Sequence, residues 1–93
     1  MVQEITLKKK LSVAGKEVET VTLDFEKITG DVLLSAEKAL RATGDVTPVL
    51  QLSMHFQALI AAQLIGVPVE DVKELNCGDF MKIVNAVRDF LLS

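Results

Sequence analysis

The sequence predicts an α+β domain in which an N-terminal β-hairpin packs against a bundle of three to four α-helices. Apolar and polar residues alternate in the first quarter of the chain, a turn signal interrupts that alternation, and apolar residues recur with helical spacing from residue 29 onward. The 93 residues suit a single domain, with the hairpin over residues 1–26 and the helical part over 29–92. A multidomain enzyme is excluded by length. With 49% apolar and 25% charged residues, disorder is excluded by composition.

The hairpin is predicted from alternation on either side of a glycine. One face of the first strand is apolar, with Lys9 as its exception, and consists of Ile5, Leu7, Leu11 and Val13. Gly15 can adopt a positive φ and provides the turn, and the return strand covers residues 17–25. The apolar residues of the return strand change faces midway, which predicts a β-bulge near Glu19 and Thr20.

The first helix has clear signals at both ends. Thr29 is the predicted N-cap, the run 32–42 consists of good helix formers, and Gly44 follows as a stop signal. Glu37 and Arg41 are spaced as an i,i+4 ion pair on its outer face.

The remaining helices are predicted in the same way. Thr47 is the predicted N-cap of the second helix, with Pro48 at its first helical position and Gly66 at its end. A short third helix over residues 69–75 and a fourth over 78–92 follow.

The second helix is unusual because residues 46–69 contain no charged side chain. Polar residues interrupt this stretch and a Gly and a Pro close it, so we expect a buried helix and no membrane span.

On a helical wheel the second helix has two apolar stripes. The first consists of Val49, Leu52, Phe56, Leu59, Ile60 and Leu64, and the second of Leu50, Met54, Ala58, Ala61 and Ile65. Either the hairpin and the fourth helix bury both stripes, or the second stripe is a partner-binding face. The apolar C-terminal residues Phe90 and Leu91 are either the last turn of a packed helix or a further part of that face.

Composition and charge exclude several classes of function. The net charge is −3 and the 4% of aromatic residues are all Phe, which disfavours a nucleic-acid binder. The run Lys8-Lys9-Lys10 is interpreted as solvated strand positions. The single cysteine and the lack of a signal-peptide pattern indicate a reducing, cytoplasmic setting.

We expect neither catalysis nor a cofactor. His55 and Cys77 are the only residues that hint at nucleophile chemistry, and no orienting group or oxyanion motif accompanies them. One Cys and one His do not make a structural zinc site, and Gly15-Lys16 lacks the rest of a phosphate-binding loop.

Three stretches, in order, carry a resemblance to a known family: VAGKEV at residues 13–18, TGDVLLSAE at 29–37 and LIGVPVEDVKEL at 64–75, followed by Asp79-Phe80. From about Ile5 to Leu92 the chain resembles the small tail assembly chaperones of contractile-tailed, Mu-like bacteriophages and prophages. The resemblance implies a non-catalytic oligomer in the host bacterial cytoplasm. It also implies that the chain binds the tape measure protein, and possibly the tail tube protein, during tube assembly. The alternative is a structural tail component that self-associates and remains in the particle.

Overall fold

The N-terminal part of the chain is a β-hairpin, as the sequence predicts. The structure is a computed structural model that describes residues 2–93, and its strands are β1 (Val2–Val13) and β2 (Lys16–Asp24), paired antiparallel. Ala14 and Gly15 form the turn with φ values of 52° and 82°. Positive φ at both positions is typical of a type I′ hairpin turn, which is favoured because its twist matches that of the strands.

The helical part follows the hairpin. Its elements are a 3₁₀ turn at Phe25–Lys27, α1 (Gly30–Ala42), a second 3₁₀ turn at Leu50–Leu52, α2 (Met54–Ile65), α3 (Val69–Lys73) and α4 (Cys77–Leu92). The predicted α+β class is therefore confirmed.

The hairpin contains a bulge, but on the other strand from the one predicted. The register changes between two pairs of opposed residues, Thr6↔Thr20 and Leu11↔Val18. Residues 7–10 of β1 therefore lie opposite Glu19 alone. The bulge lies opposite the predicted position near Glu19 and Thr20. The predicted strand was wrong, because the extra residues belong to β1.

The bulge is held by a side chain from α4. The backbone N–H of Lys8 donates to both carboxylate oxygens of Asp79, at 3.1 and 2.9 Å, and that of Lys9 donates to one of them at 3.2 Å. Lys9 is exposed, so the irregular backbone removes this charged residue from the apolar face of the strand.

The predicted ends of α1 are confirmed, and those of α3 and α4 lie within two residues of their predicted positions. Thr29 caps α1, its hydroxyl accepting from the Val32 N–H at 3.3 Å, and Gly44 follows the helix with φ 88°. Asn76 caps α4 in the same way, accepting from the Asp79 N–H at 2.9 Å.

The predicted start of the second helix is wrong. Thr47 is not an N-cap and Pro48 is not helical, because α2 begins after Ser53, which is its N-cap. Both the N–H and the hydroxyl of Thr47 donate to the carboxylate of Asp45, which closes a local turn in place of a helix start. The predicted end at Gly66 is confirmed, with φ 88° and its N–H donating to Ala62.

α2 lies at the centre of the molecule. It contacts α1, α3, α4 and β2, and all residues from Phe56 to Ala62 are buried. Its main partners in the core are residues of the hairpin, the first 3₁₀ turn, α1 and α4: Ile5, Leu7, Leu11, Val21, Leu23, Phe25, Ala36, Leu40, Ile83, Ala86 and Val87. A smaller cluster joins α2 to α3 and α4 through Ala58, Ala62, Val72 and Val84.

Candidate functional site

The main candidate site is an apolar groove between α1, the second 3₁₀ turn and the end of α4. Its volume is about 320 Å³. The groove is lined by Leu33, Leu34, Glu37, Leu50, Gln51, Phe56 and Leu91. Leu34 is 64% exposed, so one wall of the groove presents a large apolar side chain directly to solvent.

Hydrogen bonds fix the loop that forms the second wall. The side chain of Gln57, itself buried, donates through Nε2 to the carbonyl of Gln51 at 2.7 Å. The Arg41 guanidinium donates to the carbonyls of Asp45 and Thr47 at 3.2 and 2.9 Å. The loop is therefore attached at one end to α1 and at the other to α2.

This loop and the first residue of α2 also expose apolar side chains. Val46 is 83% exposed, Leu52 58% and Met54 53%, and Val49 is exposed as well. Scattered exposed apolar residues are ordinary, but here they are concentrated in one segment beside an apolar groove. Such an arrangement is typical of a surface that binds another protein.

The groove contains little charge. Glu37 is its one ionisable lining residue, and its carboxylate lies 3.8 Å from the guanidinium of Arg41. In the loop after α1, the hydroxyl of Thr47 and then its N–H lower the pKa of Asp45 from its ordinary value. Because the only carboxylate of the groove already interacts with Arg41 and the other lining residues are uncharged, the groove favours an apolar ligand.

The structure separates the sequence-predicted partner residues into different environments. Leu50 and Leu91 line the groove, and Phe90, half-buried, stacks on Phe25 with ring centroids 4.8 Å apart. Met54 lies outside the groove, in a shallow cavity with Phe80 and Met81.

Two of the predicted partner residues are core residues, which corrects the prediction. Ala58 is 1% exposed and Ala61 0% exposed. The second stripe is therefore not a continuous outer face of α2, because α3, α4 and the hairpin cover its middle. Ile65, at its end, is half-buried in a groove beside β2.

Leu33 and Leu34 line the groove but were not predicted as partner-binding residues. The signal was present, because adjacent residues in a helix point about 100° apart and a helix packed on one side does not bury both leucines deeply. Leu33 is half-buried and Leu34 exposed.

The groups that could support chemistry are dispersed. No cluster of three or more His, Cys, Asp or Glu side chains suited to a metal ion occurs within residues 2–93. Cys77 is exposed and His55 half-buried. Beside the bulge, a cavity of about 250 Å³ is lined by Lys9 and Lys10 together with Asp71 and Glu74, so its charges are of both signs.

None of the helices among the described residues combines the length and apolar character needed to cross a membrane.

Comparison with known proteins gives no match for this chain among family models, curated proteins or solved structures.

Proposed function

We propose that the protein is a cytoplasmic tail assembly chaperone that binds apolar helical segments of a phage tape measure protein while the tail tube assembles. The observation that carries this proposal is the groove with its nearly uncharged lining and the exposed apolar loop beside it. An amphipathic helix binds such a groove by inserting side chains spaced at i, i+3 or i+4 and i+7. The family resemblance of the sequence supplies the identity of the client.

The mechanism follows from mass action and needs no cofactor. A long helical client exposes apolar stripes before the tube covers it, and a bound chaperone lowers the concentration of the free, aggregating form. Polymerising tube subunits then displace the chaperone. A shallow groove suits this role, because weak binding at several sites permits release.

The test is co-expression with the tape measure reading frame of the same genome, followed by pull-down and measurement of client solubility. We expect co-purification and an increase in soluble client. Leu34→Lys and Gln51→Lys each put a charge into the groove, and each should lower client recovery about 10-fold, as expected for about 1.4 kcal/mol of lost binding.

Val2→Lys is the matched control, since Val2 is 56% exposed and lies on the hairpin, away from the groove. Equal recovery with all three variants would overturn the groove as the client site. Failure of the unmodified protein to bind or solubilise the client would overturn the chaperone function.

A structural tail component that self-associates is the second candidate, and the unpaired edge of β2 favours it. Purified particles separate the two, because a chaperone is absent from them and a structural subunit is present in many copies.

A further inference from the structure

The two strands of the hairpin differ in how their backbone groups are used. α4 covers β1: the Thr6 carbonyl accepts from the Lys82 ammonium at 3.3 Å, and the N–H groups of Lys8 and Lys9 donate to Asp79. In β2, the backbone groups from Lys16 to Leu23 form hydrogen bonds only within the hairpin. Among residues 2–93, none of them bonds to a helix or a loop outside it. The far edge of β2 is therefore unpaired.

β2 lacks some of the features that normally prevent an edge strand from pairing, and its charged residues are the one that remains, so pairing depends on a register that matches their signs. It has no proline or glycine, and the bulge residues belong to β1. Glu17, Glu19, Thr20 and Thr22 are exposed, so the strand is accessible to another chain.

The charges of β2 complement those of a second copy in one antiparallel register. With the two-fold axis at Thr20, Lys16 of each copy lies opposite Asp24 of the other, giving two opposite-charge pairs. With the axis at Glu19 instead, Glu19 lies opposite Glu19 of the second copy, which is a pair of like charges. Moving the axis from Thr20 half a residue toward Val21 places Glu17 opposite Asp24, again a pair of like charges.

Both members of the favourable pair are available. Lys16 is exposed and makes no ion pair within residues 2–93. Asp24 accepts a hydrogen bond from the Glu26 N–H through Oδ1, at 3.2 Å, which leaves its second oxygen for a partner.

A shallow groove of about 180 Å³ follows the same strand. It is lined by Val13, Val18, Thr20, Val21, Thr22 and Ile65. In the proposed register Val18 of the second copy lies opposite Thr22 and its Thr22 lies opposite Val18, so two lining residues of this groove gain a directly opposed neighbour.

We propose that two copies of the chain pair through β2, antiparallel about Thr20, to form a four-stranded sheet across a two-fold axis. The pairing leaves the groove between α1 and α4 free, so it is independent of the proposed client site. A closed dimer uses each β2 edge once and stops there, which distinguishes it from an open polymer. Because the paired strand has only nine residues, the interface is small, and we expect a dissociation constant in the range of about 1 to 100 µM.

The test is sedimentation velocity of the full chain from low to high micromolar concentration. We expect a monomer–dimer equilibrium that Lys16→Glu weakens at least 10-fold, since both attractive pairs become repulsive. Lys38→Glu changes the charge equally on the exposed surface of α1 and should have no effect. Combining Lys16→Glu with Asp24→Lys restores opposite charges and should restore the dimer.

Asp24→Lys also removes the N-cap of the first 3₁₀ turn, so hydrogen exchange of the unmodified protein provides a second measurement. Amides of β2 should gain protection as concentration rises, while those of α1 should not. A monomer at every concentration, or a dimer that Lys16→Glu leaves unchanged, would overturn the proposal. If the monomeric Lys16→Glu variant still binds the client, client binding in the groove does not depend on dimerisation through β2, and each proposal is tested separately.

Discussion

Asp79 connects the two halves of the molecule through a single carboxylate. Its side chain is fully buried, and it accepts hydrogen bonds from the N–H groups of Lys8 and Lys9, about seventy positions away in sequence. Burial raises the pKa of this carboxyl, but the N–H groups of Lys8 and Lys9 and the ammonium of Lys82 outweigh it and hold the pKa below its ordinary value. The ionised form is therefore the one that stabilises the bulge.

Asp79→Asn should destabilise the protein at pH 7. One oxygen is replaced by an NH₂ group, which cannot accept from the Lys8 N–H that contacts both carboxylate oxygens, and the negative charge that both N–H groups stabilise is lost. Because the folded-state pKa is lowered, the stabilisation is present above the unfolded-state value near 4 and is lost as pH falls below it toward the folded-state value. The difference in Tm between the natural protein and the variant should therefore shrink as the pH is lowered through this range.

Thermal unfolding from pH 7 to pH 2.5 measures this difference. Asp89→Asn is the matched control on the same helix, because the Asp89 side chain is 71% exposed, and its effect should be small. Parallel curves for the natural protein and Asp79→Asn would contradict the role of the ionised carboxylate.

At the scale of single elements, the start of α2 depends on competition between two local signals. Thr47-Pro48 and Ser53 both resemble a helix start. The N–H and hydroxyl of Thr47 donate to the carboxylate of Asp45, so the Thr47 hydroxyl does not cap a helix there. The hydroxyl of Ser53 then accepts from the Phe56 N–H at 3.2 Å, and the helix begins there.

Ser53→Ala should lower the free energy of unfolding by about 1 kcal/mol, the usual cost of losing an N-cap. Ser35→Ala is the control, because Ser35 is exposed within α1 and Ala is the better helix former there. We expect that change to be neutral or slightly stabilising. Urea denaturation measures both, and equal effects would mean that Ser53 does not cap α2.

The elements that the sequence predicts correctly are those determined by neighbouring residues. Thr29 and Gly66 lie next to the backbone groups that they satisfy, so their roles follow from local chemistry. The bulge in β1 does not, because its hydrogen-bond acceptor is Asp79 in α4. Of the residues that line the groove, Leu50 and Leu91 were predicted as partner-binding residues, whereas helical spacing shows only that Leu33 and Leu34 are not both deeply buried, and the packing of α1 determines that Leu34 is the exposed one.

At the scale of the whole molecule, the position of α2 determines which residues are available to a partner. A small domain has little core, and here one uncharged helix supplies its centre, with neighbours on several sides. The absence of charge from residues 46–69 therefore has two separate consequences. From Phe56 to Ala62 it permits burial, and from Val46 to Met54 it leaves an apolar loop and the exposed start of α2 at the surface.

Lysine substitution distinguishes these two regions. Ala61 is fully buried, so Ala61→Lys puts a long charged side chain where neither space nor a counter-ion exists, and we expect a loss of about 3 kcal/mol or more. That is a large fraction of the roughly 5 to 10 kcal/mol that holds a domain of this size folded. Met54 is 53% exposed, so Met54→Lys should change the free energy of unfolding by no more than about 0.5 kcal/mol. Circular dichroism during urea denaturation measures both variants. A folded, stable Ala61→Lys protein would mean that the middle of α2 is accessible after all, and the partner surface would then extend along the second stripe of the helix.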